Sequence, residues 1–274
     1  MIAKATREAK NIINFFSAND LVNNADKACV VYNSKGKGEL VTINNIGGEN
    51  LTSLDEKETE KLLGLHVSRE FNWKNHVDKM VVKLNQKVAL IRRMRDRLPR
   101  RKLIMMAESI FNSKVRYGIA LYLTPVYEKE QVKAKQLSTE ARKLQVIQNG
   151  MLRMIFGYRQ RDMVNMEKLR KSIGMFSINQ MNIYHVLLEA FNIINHGSAE
   201  KIQEKWLTPN DSHYSNRRKQ NVRIPKVNHT SCQGFSWNGA KLWNQLPESL
   251  KDVKNGEAFK VQMKKYIWET IPAY

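Results

Sequence analysis

Apolar residues recur along this chain with two different periods, and the change from one to the other organises the reading. Ile2, Ala5, Ala9, Ile12, Ile13 and Phe16 stand three and four residues apart, so residues 2–16 are expected to form an amphipathic helix packed through that face. After the turn-like stretch at 17–20, residues 29–32 and 40–43 are short apolar runs on either side of Gly36 and Gly38, which predicts two strands joined by a hairpin loop. Asp55, Glu56, Glu58 and Glu60 suit the acidic first turn of a short helix, with Ser53 and Glu56 spaced as a capping box. Leu62, Leu63, Leu65 and Val67, interrupted by Gly64, predict a short buried strand. From Trp73 the period becomes helical. Val77, Met80, Val81, Leu84, Val88 and Ile91 form one stripe, Lys79, Lys83 and Lys87 lie on the opposite face, and Pro99 is expected to end the helix.

The rest of the chain reads as largely helical. Leu103, Met106, Ile110, Phe111 and Val115 make a stripe that continues toward Tyr117 and Leu121 until Pro125. A second helix is expected over about residues 136–156, with Leu137, Ala141, Leu144, Ile147, Met151 and Ile155 inward. A third, over about 179–194, would bury Met181, Tyr184, Leu188 and Phe191, with His185 as a core histidine on its apolar side. Residues 206–234 lack apolar periodicity and are expected to form an extended basic arm. Phe235, Ala240, Leu242, Trp243 and Leu246 then lead to a stop at Pro247, and Phe259, Met263 and Ile267 mark a last helix. The expected class is α+β, mainly α. Its divisions are a small strand-and-helix piece at 1–70, a helical region at 71–205, and a basic arm with a C-terminal helical segment at 206–274.

Charge changes this picture more than composition does. A chain of 274 residues with 42% hydrophobic content can bury a core in one large or two modest domains. Its net charge is +20, yet residues 1–60 hold seven Lys and Arg against nine Asp and Glu, so the excess belongs entirely to the later part. Arg92, Arg93, Arg95, Arg97, Arg100, Arg101 and Lys102 fall within eleven residues, relieved only by Asp96. One or two cations suffice to complement the carbonyls of a helix end, and the others repel one another unless a polyanion neutralises them. The pattern therefore points to a nucleic-acid backbone, with Lys83, Lys87, Arg142, Lys143 and Arg153 adding to the same basic surface. A rival reading from another class is a helical scaffold that binds an acidic protein.

Cys29 and Cys232 are too few for a disulfide framework, and His213, His229 and Cys232 fit no zinc spacing, so no metal or cofactor is expected to be bound. This cysteine usage suits a reducing compartment, nuclear or cytoplasmic. The first residues are charged from Lys4 onward and the apolar run at 12–16 is broken by Asn14, which argues against a secretory leader or a membrane span there.

Leu63 and Gly64, then Trp73, Lys74, His76 and Val77, then Arg92, Leu98 and Pro99, follow an order that resembles the palm-to-thumb junction of non-LTR (LINE-type) retrotransposon reverse transcriptases. Further on, Gln148, Asn149, Leu152, Arg153, Ile155 and Gly157 resemble the Gln-Asn-x-x-Leu-Arg-x-Ile-x-Gly signature of that family's thumb. Phe235, Gly239, Ala240, Trp243, Asn244, Leu246 and Pro247, followed by Phe259 and Lys260, resemble the way such proteins end. Leu21, Asn24 and Lys27 match the family's Leu-x-x-Asn-x-x-Lys-Thr element, with Ala28 in place of Thr. The resemblance implies the end of a palm at 1–70, a thumb at 71–205 and a post-thumb region, with Lys27 near the incoming nucleotide of an intact enzyme. It also implies binding to the backbone of RNA, DNA or their hybrid, since a thumb grips template and primer with cations and little base reading. The family's two Mg2+ ions are held by carboxylates from an upstream strand and a Tyr/Phe-x-Asp-Asp hairpin. This sequence contains no Asp-Asp pair, and Asp20 and Asp26 merely flank a turn, so no catalytic residue is assigned.

Overall fold

The computed structural model describes residues 2–21, 43–44, 50–51, 59–68, 72–126, 137–207, 221–226 and 234–271. Lys27, the expected strand at 29–32, the Ser53 and Glu56 capping box, and His213, His229 and Cys232 lie outside these residues. The described chain is α+β and mainly α, as its periodicity predicts, and it divides into two compact units, Met1–His76 and Val77–Tyr274.

In the first unit, helix α1 (Ile2–Ala18) ends where Asp20 takes a φ of 55° and the Leu21 N–H donates to the Phe16 carbonyl at 2.8 Å. This left-handed C-terminal turn is one that a short polar residue tolerates, so Asp20 serves backbone geometry. Ile12 and Phe15 are exposed, whereas the sequence pattern places Ile12 on a packed face. Strand β1 (Ile43–Asn44) pairs antiparallel with β2 (Asn50–Leu51). Strand β3 (Thr59–Leu62) pairs antiparallel with β4 (Leu65–Ser68) in a register that sets Leu62 opposite Leu65.

That register corrects the expected buried strand, because Leu63 and Gly64 are the two-residue turn of a hairpin, with φ values of 47° and 87°. Both central residues of such a turn need a positive φ, which Gly64 adopts freely and Leu63 does not. Leu62 and Leu63 are consequently 64% and 81% exposed, and Leu65 is the buried leucine of the run. Glu60, expected in an acidic helix turn, stands in β3.

Helix α2 (Lys74–Arg93) follows, and its stripe is the predicted one: Val77, Met80, Leu84 and Ile91 are buried while Lys79 and Lys83 are exposed. It ends at Arg93, earlier than Pro99. Pro99 instead caps the start of α3 (Arg100–Met106), a position that suits a residue with no N–H to donate and a fixed φ. From α3 the chain runs through a π-helical turn (Ala107–Asn112) into α4 (Ser113–Arg116). The wider turn keeps Leu103, Ala107, Phe111 and Val115, four residues apart, on one buried line. Gly118, at a φ of 72°, then breaks the phase ahead of α5 (Ile119–Tyr122). Tyr117 and Leu121, expected to continue the stripe, are exposed for that reason, and Ile119 and Tyr122 are buried in their place.

The second unit is built around α8 (Ile178–His196), which is buried on nearly every side. Packed against it are α4, α5, α6 (Thr139–Phe156), α9 (Glu200–Leu207), α10 (Phe235–Gln245) and α12 (Gly256–Thr270). Two shorter helices, α7 (Met166–Ser172) and α11 (Glu248–Lys251), complete the set. Phe191 of α8 stacks on Phe259 of α12 at 4.3 Å, and Trp206 and Trp243 close the same core. Helix α9 replaces the beginning of the expected arm, with Trp206 as its buried anchor.

The polar first turn of α8 is buried because each side chain clamps another segment. Ser177 and Gln180 form a capping box, and Gln180 Nε2 donates to the Ile271 carbonyl at 2.9 Å. Asn179 pairs both ways with the Val126 backbone at 2.8 and 2.9 Å, and Asn182 donates to the Leu123 carbonyl. Asn244 does the same for Val222, which holds residues 221–226 against α10.

Candidate nucleic-acid interface

The seven clustered cations occupy the end of α2, the turn after it, and the first turn of α3. Arg92, Arg93, Arg95, Arg97, Arg100, Arg101 and Lys102 are all exposed, and none is held in an ion pair among the described residues. Arg92 and Arg93 close α2, where cations complement the negative end of the helix dipole. Arg100, Arg101 and Lys102 sit at the opposite kind of end, the positive N-terminus of α3, with no acidic residue in its first turn. Helix capping accounts for two of the seven and makes three of them unfavourable.

The structure adds a second segment, Phe156 and residues 158–161, around the Gly157 that the sequence resemblance includes. Helix α6 ends at Gly157, whose φ of 80° forms a left-handed cap in which Tyr158 N–H donates to the Arg153 carbonyl at 2.9 Å. That end meets the basic turn. The Arg100 guanidinium lies 5.0 Å from the centre of the Phe156 ring, and a Cβ at Gly157 would stand 3.5 Å from Arg95 Nη2. Arg159 and Arg161 follow on the exposed surface. In the sequence, Arg153 and Gly157 mark this place, while the Tyr-Arg that follows the glycine carries no pattern that singles it out.

The other predicted cations are distributed differently. Lys83 is exposed and Lys87 half-buried on α2, while Arg142 is exposed on α6. Lys143 is held in an ion pair by Asp78. Arg153 donates to the carbonyls of Arg159 and Asp162 at 3.1 and 3.0 Å, and so fixes the 158–162 loop. Gln148 of the same motif is buried and Asn149 half-buried. Gln148 Nε2 donates to Asn112 Oδ1 at 3.3 Å and to the Phe176 carbonyl at 3.0 Å. Gln145 Nε2 donates to both Gln148 Oε1 and Asn149 Oδ1 at 2.9 Å. Arg170, buried in α7, donates to Asn149 Oδ1 at 2.7 Å. Burial draws the Arg170 guanidinium below its ordinary pKa, and Glu167 opposes the shift.

A groove of about 380 Å³ lies elsewhere in this unit, lined by Arg116, Leu121, His185, Glu189, Ile202 and Phe235. Burial, and then the charge of Arg116, lower His185 from 6.5 to about 4, so its imidazole is neutral at pH 7. Among the described residues no cluster of three or more His, Cys, Asp or Glu is placed to hold a metal ion, and no helix is long and apolar enough to cross a membrane. Comparison with family models, with curated proteins and with solved structures returns no match to this chain.

Proposed function

We propose that this chain binds the sugar-phosphate backbone of RNA, DNA or their hybrid through the basic turn between α2 and α3, as part of a protein related to LINE-type reverse transcriptases. The observation that carries the reading is the placement of Arg100, Arg101 and Lys102 at a helix N-terminus already positive by its dipole, beside four further exposed arginines. Such an arrangement is costly in isolation and favourable once phosphates stand against it. The family assignment rests on the sequence resemblance alone. Under it the palm and thumb labels apply to 1–70 and 71–205, Lys27 lies near a nucleotide in an intact enzyme, and the polymerase carboxylates are not supplied by this chain.

Binding to a labelled duplex, measured across a salt series, tests the reading. Each phosphate neutralised releases condensed counterion, so six or more contacts predict a loss of about a thousandfold or greater between about 50 and 200 mM salt. Replacing Arg93, Arg97 and Arg101 together by Ala is expected to weaken binding about equally across sequences and to flatten the salt slope by about one unit per lost contact. An unchanged affinity and slope in that variant would leave the cluster as a solvated helix end. Displacement by an acidic polypeptide but not by RNA would favour the scaffold reading.

A further inference from the structure

We infer that Phe156 and Tyr158, with Arg100 over the Phe156 ring, form a stacking platform for an unpaired nucleobase, so that this face prefers a junction of duplex and single strand to uninterrupted duplex. The inference rests on the nucleic-acid reading above and extends it from the backbone to the bases. The two rings are nearly parallel, at 7°, with centroids 6.4 Å apart, and Tyr158 remains 41% exposed. An exposed tyrosine on a loop is ordinarily a mobile side chain, but this loop is fastened. Gly157 closes α6, Arg153 bonds two of the loop's carbonyls, and Asp162 Oδ2 accepts from the Arg159 N–H at 2.6 Å. The backbone that carries Tyr158 is therefore fixed before any ligand arrives, and the ring lies parallel to Phe156, which lowers the ordering cost of binding.

The surroundings select the occupant. Arg100 lies over the Phe156 ring, Arg95 Nη2 reaches the Gly157 between the two aromatic residues, and Arg159 and Arg161 are exposed after Tyr158. An apolar protein surface would have to desolvate these guanidinium groups without pairing them, and an acidic one would use the cations but leave the aromatic face idle. A nucleotide uses both, the base on the ring and the phosphate on the cations. A base inside a duplex presents no free face and one at a blunt end stays paired and stacked on its neighbour, so the platform's occupant is an unpaired base.

The test compares a blunt DNA duplex with the same duplex carrying a single-stranded extension whose first unpaired base is the fluorescent analogue 2-aminopurine. The parent protein is expected to bind the extended probe more tightly and to quench its fluorescence. Tyr158→Ala is expected to lose roughly tenfold in affinity for the extended probe and to abolish the quenching, with blunt-duplex binding and its salt slope unchanged; Tyr158→Phe is expected to behave as the parent. Equal binding of the two probes by the parent, an unchanged Tyr158→Ala variant, or an equal loss on both probes would overturn the platform while leaving backbone binding standing. Failure of the parent to bind either probe would overturn the backbone reading and the platform together.

Discussion

His185 shows how one residue's surroundings set a measurable property of the whole molecule. It lines the same grooves as Arg116 of α4, Glu108 of the π-helical turn, Glu189 on its own helix and Lys264 of α12. Its folded pKa of about 4 lies below the ordinary 6.5, so as pH falls the unfolded chain takes up the proton first. Stability is accordingly lost between about pH 6.5 and about pH 4, and is constant with respect to this group above that window. Allowing for partial exposure, the loss should be on the order of 1–2 kcal/mol. Thermal unfolding of the parent and of His185→Gln at pH 7 and pH 4 checks this, the variant being expected to lose correspondingly less. Gln148 makes a sharper case. Gln148→Leu would strip partners from Asn112 Oδ1 and the Phe176 carbonyl inside the core, and a loss of about 2–3 kcal/mol is expected in denaturant unfolding. The sequence motif includes Gln148 and Asn149, but only the fold shows that they act as hydrogen-bonding groups, Gln148 buried and Asn149 half-buried. Their neighbours in that network, Asn112 and Arg170, come from segments far away in sequence.

Helices were legible in the sequence where one face is apolar and the other charged, which is why α2, α6, α10 and α12 lie close to their expected positions. Legibility failed where a single backbone position resets the phase. Gly118 displaced Tyr117 and Leu121 outward, and the Leu63–Gly64 turn folded an apparent strand into a hairpin. Gly239 matters for a different reason. It lies inside α10, where alanine would normally stabilise by about 1 kcal/mol. A Cβ there would approach Trp206 Cη2 at 2.9 Å and Cζ2 at 3.1 Å, and that indole is buried with its Nε1–H bonded to the Ser236 carbonyl. Gly239→Ala is therefore expected to destabilise by about 1–3 kcal/mol in spite of helix propensity. An increase in the unfolding midpoint would show that Trp206 can move aside and that α9 is loosely seated on α10.

For the molecule as a whole, the large positive charge and the hydrophobic core are separable. Core residues gather on α8 and its neighbours, while the densest cations project from the turn between α2 and α3. Replacing Arg93, Arg97 and Arg101 by Ala should thus alter binding without altering folding, with stability expected to change by less than about 0.5 kcal/mol in calorimetry. The loss of Arg101 at the N-terminus of α3 should even favour the folded state slightly. The class, the basic excess after residue 60, the cation cluster and the apolar stripes of the long helices follow from the sequence by itself, because periodicity and charge are properties of neighbours along the chain. Which helix is central, which amides are buried, and the meeting of Phe156 with Arg100 and of Gly157 with Arg95 were decided only by the tertiary structure. Each of these depends on a contact between segments tens of residues apart, and no local pattern of hydrophobic and polar positions encodes such a contact.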